Sequence, residues 1–203
     1  YTKRIQWLLQ GSRKVFGLVK GSRVGVIIDS SDANCGFGRL TNFQDSLYHL
    51  LDDQLKQKKA LYCATFGSEV YPLWQNVMDV SCRSIEEIRG WISNLQPHGG
   101  CNLLRALKHI YKVNDLNSIL LILGSVPDQH VDVLCDFIEQ LGVGRDIVVN
   151  TVAYDCNNQH TNVALRRLAE ESGGRYHCYH SSCEEQIYTS FDINVLLTEI
   201  QTA

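Results

Sequence analysis

The sequence predicts an α/β fold: a doubly wound, mostly parallel sheet with helices on both faces and one antiparallel edge hairpin. Three observations lead there. Val24-Gly25-Val26-Ile27-Ile28 and Ile119–Leu123 are short, wholly apolar runs, the pattern of strands buried on both faces. These runs alternate with segments of helical periodicity, which places helices over the sheet. Gly67-Ser68-Glu69 separates two further strand-like runs by a single tight turn, the signature of a hairpin.

Taken in order, Ile5, Trp7, Leu8 and Leu9 read as a short helix or lead-in. Lys14–Val19 reads as extended and able to pair with the first strand, Val24–Ile28. Leu40, Phe43, Leu47, Leu50 and Leu51 recur at helical spacing on a helix running to about Lys56. Ala60–Phe66 and Val70–Leu73 form the hairpin. Ser84 with Glu87 has the spacing of a capping box, opening a helix to about Leu95. The helix from Asn102 to Tyr111 presents Leu103, Leu107 and Ile110, and strand Ile119–Leu123 follows. Val131, Leu134, Ile138 and Leu141 mark the next helix, and Asp146–Ala153 a strand rich in β-branched residues. A helix carrying Ala164, Leu165 and Leu168 stops at Gly173-Gly174. Arg175–Tyr179 is the last strand and Phe191–Ile200 a closing helix.

The 203 residues are 44% hydrophobic and 20% charged, with 3 prolines. That suits one domain with a substantial core. No apolar run approaches the ~20 residues that span a bilayer. The first residues, Tyr1-Thr2-Lys3-Arg4, include neither an initiator methionine nor a signal sequence, so a piece of a longer protein is expected. Net charge is −3, which argues against nucleic acid as the partner. Residues 1–28 nevertheless hold six basic side chains and no acidic one, leaving 13 basic against 22 acidic groups beyond them. We therefore divide the chain into a basic lead-in, residues 1–20, and the domain proper, residues 21–203. The lead-in either docks an acidic partner, or lies against the acidic surface of its own domain or is simply solvated. The eight cysteines are scattered over strand, helix and loop positions, which favours free thiols in a reducing compartment over a disulfide framework.

Function concentrates at three strand-end loops. Asp29-Ser30-Ser31-Asp32-Ala33 follows the first strand, Gly99-Gly100-Cys101-Asn102-Leu103 opens a helix, and Gly124-Ser125-Val126-Pro127-Asp128 follows the strand Ile119–Leu123. In a doubly wound sheet, ligands sit beyond the carboxyl ends of the strands, at the switch in strand order. The order and placement of these loops resemble the von Willebrand factor A family, whose pattern is Asp-x-Ser-x-Ser, Gly-Gly-Thr-Asn-Leu and Thr-Asp-Gly-x-Pro-Asp. The likeness covers about residues 20–202. Gly11-Ser12-Arg13-Lys14-Val15-Phe16-Gly17 adds a similarity to the intracellular, multi-domain group called von Willebrand factor A domain-containing protein 3. The resemblance implies a Rossmann-like fold and a metal-ion-dependent adhesion site (MIDAS) that grips a partner's carboxylate.

Carried over by position, the ligands of that site are Asp29, Ser31, Ala33, Cys101 and Gly124, of which only Asp29 and Ser31 match the family pattern. Mg²⁺ is a hard, octahedral ion that needs placed oxygens. Ala33 and Gly124 supply none, and Cys101 offers sulfur, which suits softer ions. Asp32, Ser125 or Asp128 would need unusual backbone geometry to stand in. The expectation is thus a degenerate site without a resident metal or cofactor, Mg²⁺ being the weaker alternative. The leading reading is a non-catalytic protein–protein interaction domain of an intracellular scaffold, in the cytoplasm, with a cytoskeletal or ciliary setting suggested only by analogy. Partners would meet the loops at Asp29–Gly38, His98–Asn102 and Gly124–Gln129, through Asp29, Ser31, Asp32, Phe37, His98, Cys101, Asn102, Ser125 and Asp128.

Two alternatives stay open. One keeps divalent-cation-dependent ligand binding through Asp29 and Ser31. The other is a thiol- or zinc-dependent enzyme. Cys101 lies near a helix start, where thiol pKa values fall, with His98 nearby, but no base-orienting group or nucleophile elbow is visible. His177, Cys178, His180 and Cys183 are zinc-type ligands, yet alternation along a strand makes His177 and Cys178 diverge. Trp7, Trp74 and Trp91 read as core or cover residues. No phosphate-cradling glycine motif is present.

Overall fold

The computed structural model describes residues 2–36, 38–141 and 147–182. Phe37, Cys183 and the expected helix Phe191–Ile200 lie outside the described residues. The elements in chain order are α1 (Thr2–Leu8), α2 (Ser12–Phe16), β1 (Arg23–Asp29), α3 (Asp32–Cys35) and α4 (Arg39–Asp53), then a 3-10 turn at Leu55–Gln57. They continue with β2 (Ala60–Phe66), β3 (Val70–Pro72), β4 (Met78–Asp79), α5 (Cys82–Ser93), α6 (Leu103–Ile110) and β5 (Ser118–Leu123). The described part ends with α7 (Val131–Leu141), β6 (Val148–Tyr154), α8 (Gln159–Glu171) and β7 (Tyr176–Tyr179).

The sheet order is β3-β2-β1-β5-β6-β7, with β4 also paired to β2. β1 runs parallel to both β2 and β5, and β5–β6 and β6–β7 are parallel as well. Among the described strands, only β3 and β4 run antiparallel, β3 against Ala64–Phe66 and β4 against Ala60–Leu61. This is the doubly wound, mostly parallel sheet with one antiparallel edge that the sequence predicts. The winding reverses at β1, so the switch-point crevice lies between the carboxyl ends of β1 and β5, where Asp29 and Gly124 sit.

Strand alternation divides the core. Val24, Val26 and Ile28 of β1 join Phe43, Leu47 and Leu50 of α4 and Ile88 and Ile92 of α5 on one face. Ile27 joins Leu103, Leu107 and Ile110 of α6, Leu134 of α7 and Leu165 of α8 on the other. Each such side chain, once fully buried, contributes about 1.5–3 kcal/mol of transfer free energy. Gly25 is what lets α6 come close: a Cβ there would stand 2.9 Å from Ile110 Cδ1 and 2.8 Å from Leu116 Cδ1.

Three local expectations are corrected. Lys14–Val19 is not a strand: Ser12–Phe16 forms α2, which ends at Gly17 with φ +69°. Gln54 explains this, because its side chain accepts from Val19 N at 2.8 Å and donates to Gly17 O at 3.0 Å, doing for the backbone what a strand partner would have done. Phe16 is thereby buried against Tyr154, ring centroids 6.2 Å apart. The capping box of α5 sits earlier than Ser84/Glu87: Ser81 is the N-cap and Ser84 answers it, while Glu87 accepts from Trp74 Nε1 at 2.7 Å and Arg83 Nε at 2.9 Å. β4 and the one-turn α3 are additional to the sequence reading; both are too short to show a period.

Candidate functional site at the switch point

The crevice is built around Asp29, the last residue of β1 and fully buried. Its Oδ1 accepts from Ser31 N at 2.8 Å. Its Oδ2 accepts from Gly124 N at 2.9 Å and from the Ser125 hydroxyl at 2.6 Å. Ser31 Oγ in turn donates to Ser125 Oγ at 2.9 Å, so a hydroxyl relay runs Ser31 to Ser125 to Asp29. Chains of this kind polarise one another and are costly to break inside a protein. Ser125 enters the cluster with ordinary backbone geometry, since the only described non-glycine residues with positive φ are Asp115 and Asp155; the expected strain is absent. Ser31 occupies its place because it is the N-cap of α3 and accepts from Asn34 N.

Asn34 closes the crevice. Its Nδ2 donates to the Asp29 carbonyl at 2.7 Å. Its Oδ1 stands 1.9 Å from where a Cβ on Gly124 would be, and its Cγ 2.4 Å. The space that a side chain at position 124 would need is therefore filled by Asn34. Arg39, at the start of α4, lies beyond: its Nη2 reaches Asn34 Oδ1, Gly124 O, Tyr154 O and Asp155 O at 3.2–3.4 Å. A guanidinium thus ties together the carboxyl ends of β5 and β6 beside the buried carboxylate. Asn34 and Arg39 were missed in the sequence; the available signal was an amide residue five positions after the strand-end aspartate, opposite a glycine where the resembled family pattern has an aspartate.

The middle loop is stitched to its neighbours by backbone. His98 N donates to Ser30 O at 2.8 Å, and Ser68 N donates to His98 O at 2.9 Å. Gly67 permits this approach, as a Cβ there would meet His98 O at 2.1 Å. The His98 ring stacks on Tyr71, centroids 4.1 Å apart. Asp32 turns toward Gly99, accepting from its N at 2.9 Å and donating its own N to Gly99 O at 2.8 Å. Asp128 N donates to Cys101 O at 2.8 Å. Asn102 caps α6 through Arg105 N at 3.1 Å, and the same oxygen accepts from Gln129 Nε2 at 3.1 Å.

The three predicted loops do converge, but their residues separate by depth. Asp29, Ser31, Cys101, Gly124 and Ser125 are buried, His98 and Asn102 are half-buried, and Asp32, Ala33 and Asp128 are exposed. For a hard cation the donor set is poor: one carboxylate whose oxygens already serve three donors, two hydroxyls bonded to each other, a sulfur, and no side-chain oxygen at Ala33 or Gly124. This set does not fit Mg²⁺. Among the described residues, no three His, Cys, Asp or Glu side chains gather as metal ligands.

The expectation of a lowered Cys101 pKa is reversed. Burial pushes the thiol up, the Asp29 carboxylate adds to this, Ser125 opposes it by a hydrogen bond, and Asp128 and Cys156 push it further up. Cys35 is raised to about 11 by burial, then by Asp29 and Asp32. A thiol held protonated is a poor nucleophile. In β7, His177 Nε2 meets Lys14 O at 2.9 Å, whereas Cys178 Sγ meets His180 Nε2 at 3.2 Å. Cys178 packs with the core face that carries α6 and α8, so His177 and Cys178 are not brought together.

A profile of the von Willebrand factor type A domain matches residues 22–178. Human von Willebrand factor A domain-containing protein 3A is 42% identical over 203 residues, covering 100% of this chain and 17% of that protein. Human von Willebrand factor A domain-containing protein 3B is 23% identical, covering 98% of this chain and 15% of that protein. The chain thus spans a minor part of either relative. A von Willebrand factor type A structure from Catenulispora acidiphila has a TM-score of 0.65 at 12% identity, covering 80% of this chain and 40% of its own; at that identity the likeness concerns fold alone. The chain belongs to the von Willebrand factor type A domain family, a family of protein-interaction modules, and within it is similar to the human type 3 proteins.

Proposed function

We propose that this domain is a non-catalytic protein-binding module of a larger intracellular scaffold, and that it holds partners by direct contacts without a divalent cation. The observation that carries this reading is the closed crevice: Asn34 fills the space beside Gly124, and both oxygens of Asp29 are bonded by the protein itself. In place of a metal-mediated carboxylate grip there is a hydrogen-bonded plug. Asp29, Ser31, Cys101 and Ser125, being buried, position the loops. Asp32, His98, Asn102 and Asp128 supply the surface a partner touches. A scaffold in the cytoplasm or cytoskeleton fits the likeness to the type 3 proteins, and a ciliary setting is an extension by analogy. Among the described residues, no helix is long and apolar enough to cross a membrane.

Partner capture from native tissue lysate, with and without EDTA, tests this. Capture is expected to persist in EDTA and to fall when Asp32→Lys, His98→Glu and Asp128→Lys are combined. The competing cation-dependent reading draws on the convergence of Asp29, Ser31 and Ser125 oxygens within 2.6–2.9 Å. Saturable calorimetric binding of millimolar Mg²⁺ or Mn²⁺, abolished by Asp29→Ala, would establish that reading instead.

A further inference from the structure

Beside the third loop, a groove of about 860 Å³ opens between the amino-terminal halves of α7 and α8. We infer that it binds a short basic and apolar segment of a partner protein. This rests on the reading of the domain as an interaction module; the groove adjoins the strand-end surface and shares Asp128 with it, and the inference names the chemistry of what enters it.

The floor is apolar, with Leu134 and Ala164 buried at its base. Its two sides carry Val126 and Val163, which leave 53% and 55% of their surface exposed. Two β-branched apolar side chains facing one concavity from different elements offer a cover for a bulky anchor residue, and the volume lies within the range of ligand pockets. Charge then selects the occupant. Asp128 and Asp132 stand on the rim, and no lysine or arginine is among the described lining residues. The amino-terminal dipoles of the two helices, which by themselves favour anions, are already answered. Asp132 lies in the first turn of α7, and Asn158 caps α8 by accepting from Thr161 N at 2.9 Å. His130 is engaged with Asp132 at 3.1 Å. His130 and His160 also line the groove, so what its described lining lacks is a permanent cation, lysine or arginine.

A segment carrying glutamate instead would meet Asp128 and Asp132 with like charge. A partner segment pairing an aromatic or leucine anchor with lysine or arginine satisfies both the floor and the rim.

The test uses the 203-residue chain and an array of short Gly/Ser peptides bearing one Leu, Phe or Trp beside two lysines, each with a twin in which glutamate replaces lysine. The lysine peptides are expected to be retained roughly tenfold more than their twins, and Asp132→Lys or Val163→Lys to lower retention roughly tenfold, since rim charges steer and select. Val163 is exposed, so Val163→Lys should melt with the wild type, while Asp132→Lys, which removes the first-turn carboxylate of α7, should melt slightly lower and still fold. Equal retention of the twins, or a preference that survives both substitutions, overturns the proposal. A blank array with self-association broken by Val163→Lys also overturns it, reassigning the groove to a contact between copies. In either case EDTA-resistant capture through the strand-end loops is unaffected, which separates this failure from failure of the interaction reading.

Discussion

The plug at the switch point makes a quantitative prediction for Gly124→Asp, the substitution that would supply a missing carboxylate. The φ of Gly124 lies outside the left-handed region, so the cost is steric and electrostatic rather than conformational. The new Cβ would overlap Asn34 Oδ1 at 1.9 Å and Cγ at 2.4 Å. Asn34 has no free rotation to give, because its Nδ2 is bonded to the Asp29 carbonyl and its Oδ1 faces Arg39. Displacing it forfeits a hydrogen bond and leaves a buried carbonyl unmet, about 1–3 kcal/mol. A second carboxylate beside buried Asp29 adds like-charge repulsion. With about 1 kcal/mol for that repulsion the sum is about 2–4 kcal/mol, or a fall in Tm of roughly 4–16 °C for a domain of this size. Asn34→Gly alone should cost about 1–3 kcal/mol. The pair together should cost less than the two separately, with a coupling of about 1–2 kcal/mol, because removing the amide removes the clash. Thermal unfolding followed by circular dichroism in EDTA measures all three variants. Repeating it in Mg²⁺ should raise the melting temperature of the double variant and leave the wild type unchanged. A Gly124→Asp variant that melts with the wild type, or a strictly additive pair, would refute the plug.

Other consequences follow from neighbouring groups. Arg39→Met removes the guanidinium that bridges three carbonyls at the ends of β5 and β6, and should cost roughly 2–3 kcal/mol in urea unfolding, with Arg39→Lys recovering only part of it. Iodoacetamide at neutral pH should label exposed Cys82 while Cys101 and Cys63 resist; mass spectrometry that finds Cys101 modified in the folded chain would contradict its raised pKa. Cys35 ionises at an ordinary 9.0 when unfolded but near 11 when folded. Its contribution to stability is therefore complete below pH 9 and is lost as pH climbs to about 11, because the unfolded chain releases the proton first. Cys35→Ala should flatten the fall in denaturation midpoint across that window, and an unchanged slope would assign the alkaline loss to other groups.

The architecture was legible because it is written in repeating patterns. The apolar runs of β1 and β5, the periodicity of α4 and α8 and the Gly67-Ser68-Glu69 turn each encode a backbone state through many side chains at once. The site was legible in outline for a different reason: strand ends are fixed by the strands, so Asp29, Cys101 and Gly124 had to meet at one edge. What the crevice does was hidden, because it turns on single contacts between residues far apart in sequence. Asn34 looks like a helix residue until it is found over Gly124, and Arg39 looks like a solvated helix start until Tyr154 and Asp155 close around it. Gln54 is the same case at the other end of α4, where one amide decides that residues 17–19 need no strand partner. Each of these three polar side chains settles by single hydrogen bonds what no periodic pattern encodes. Loss of a motif residue is therefore informative only together with what fills its place. At Gly124 the replacement is a bonded amide rather than open space, so restoring the carboxylate alone should destabilise the domain before it can recruit an ion.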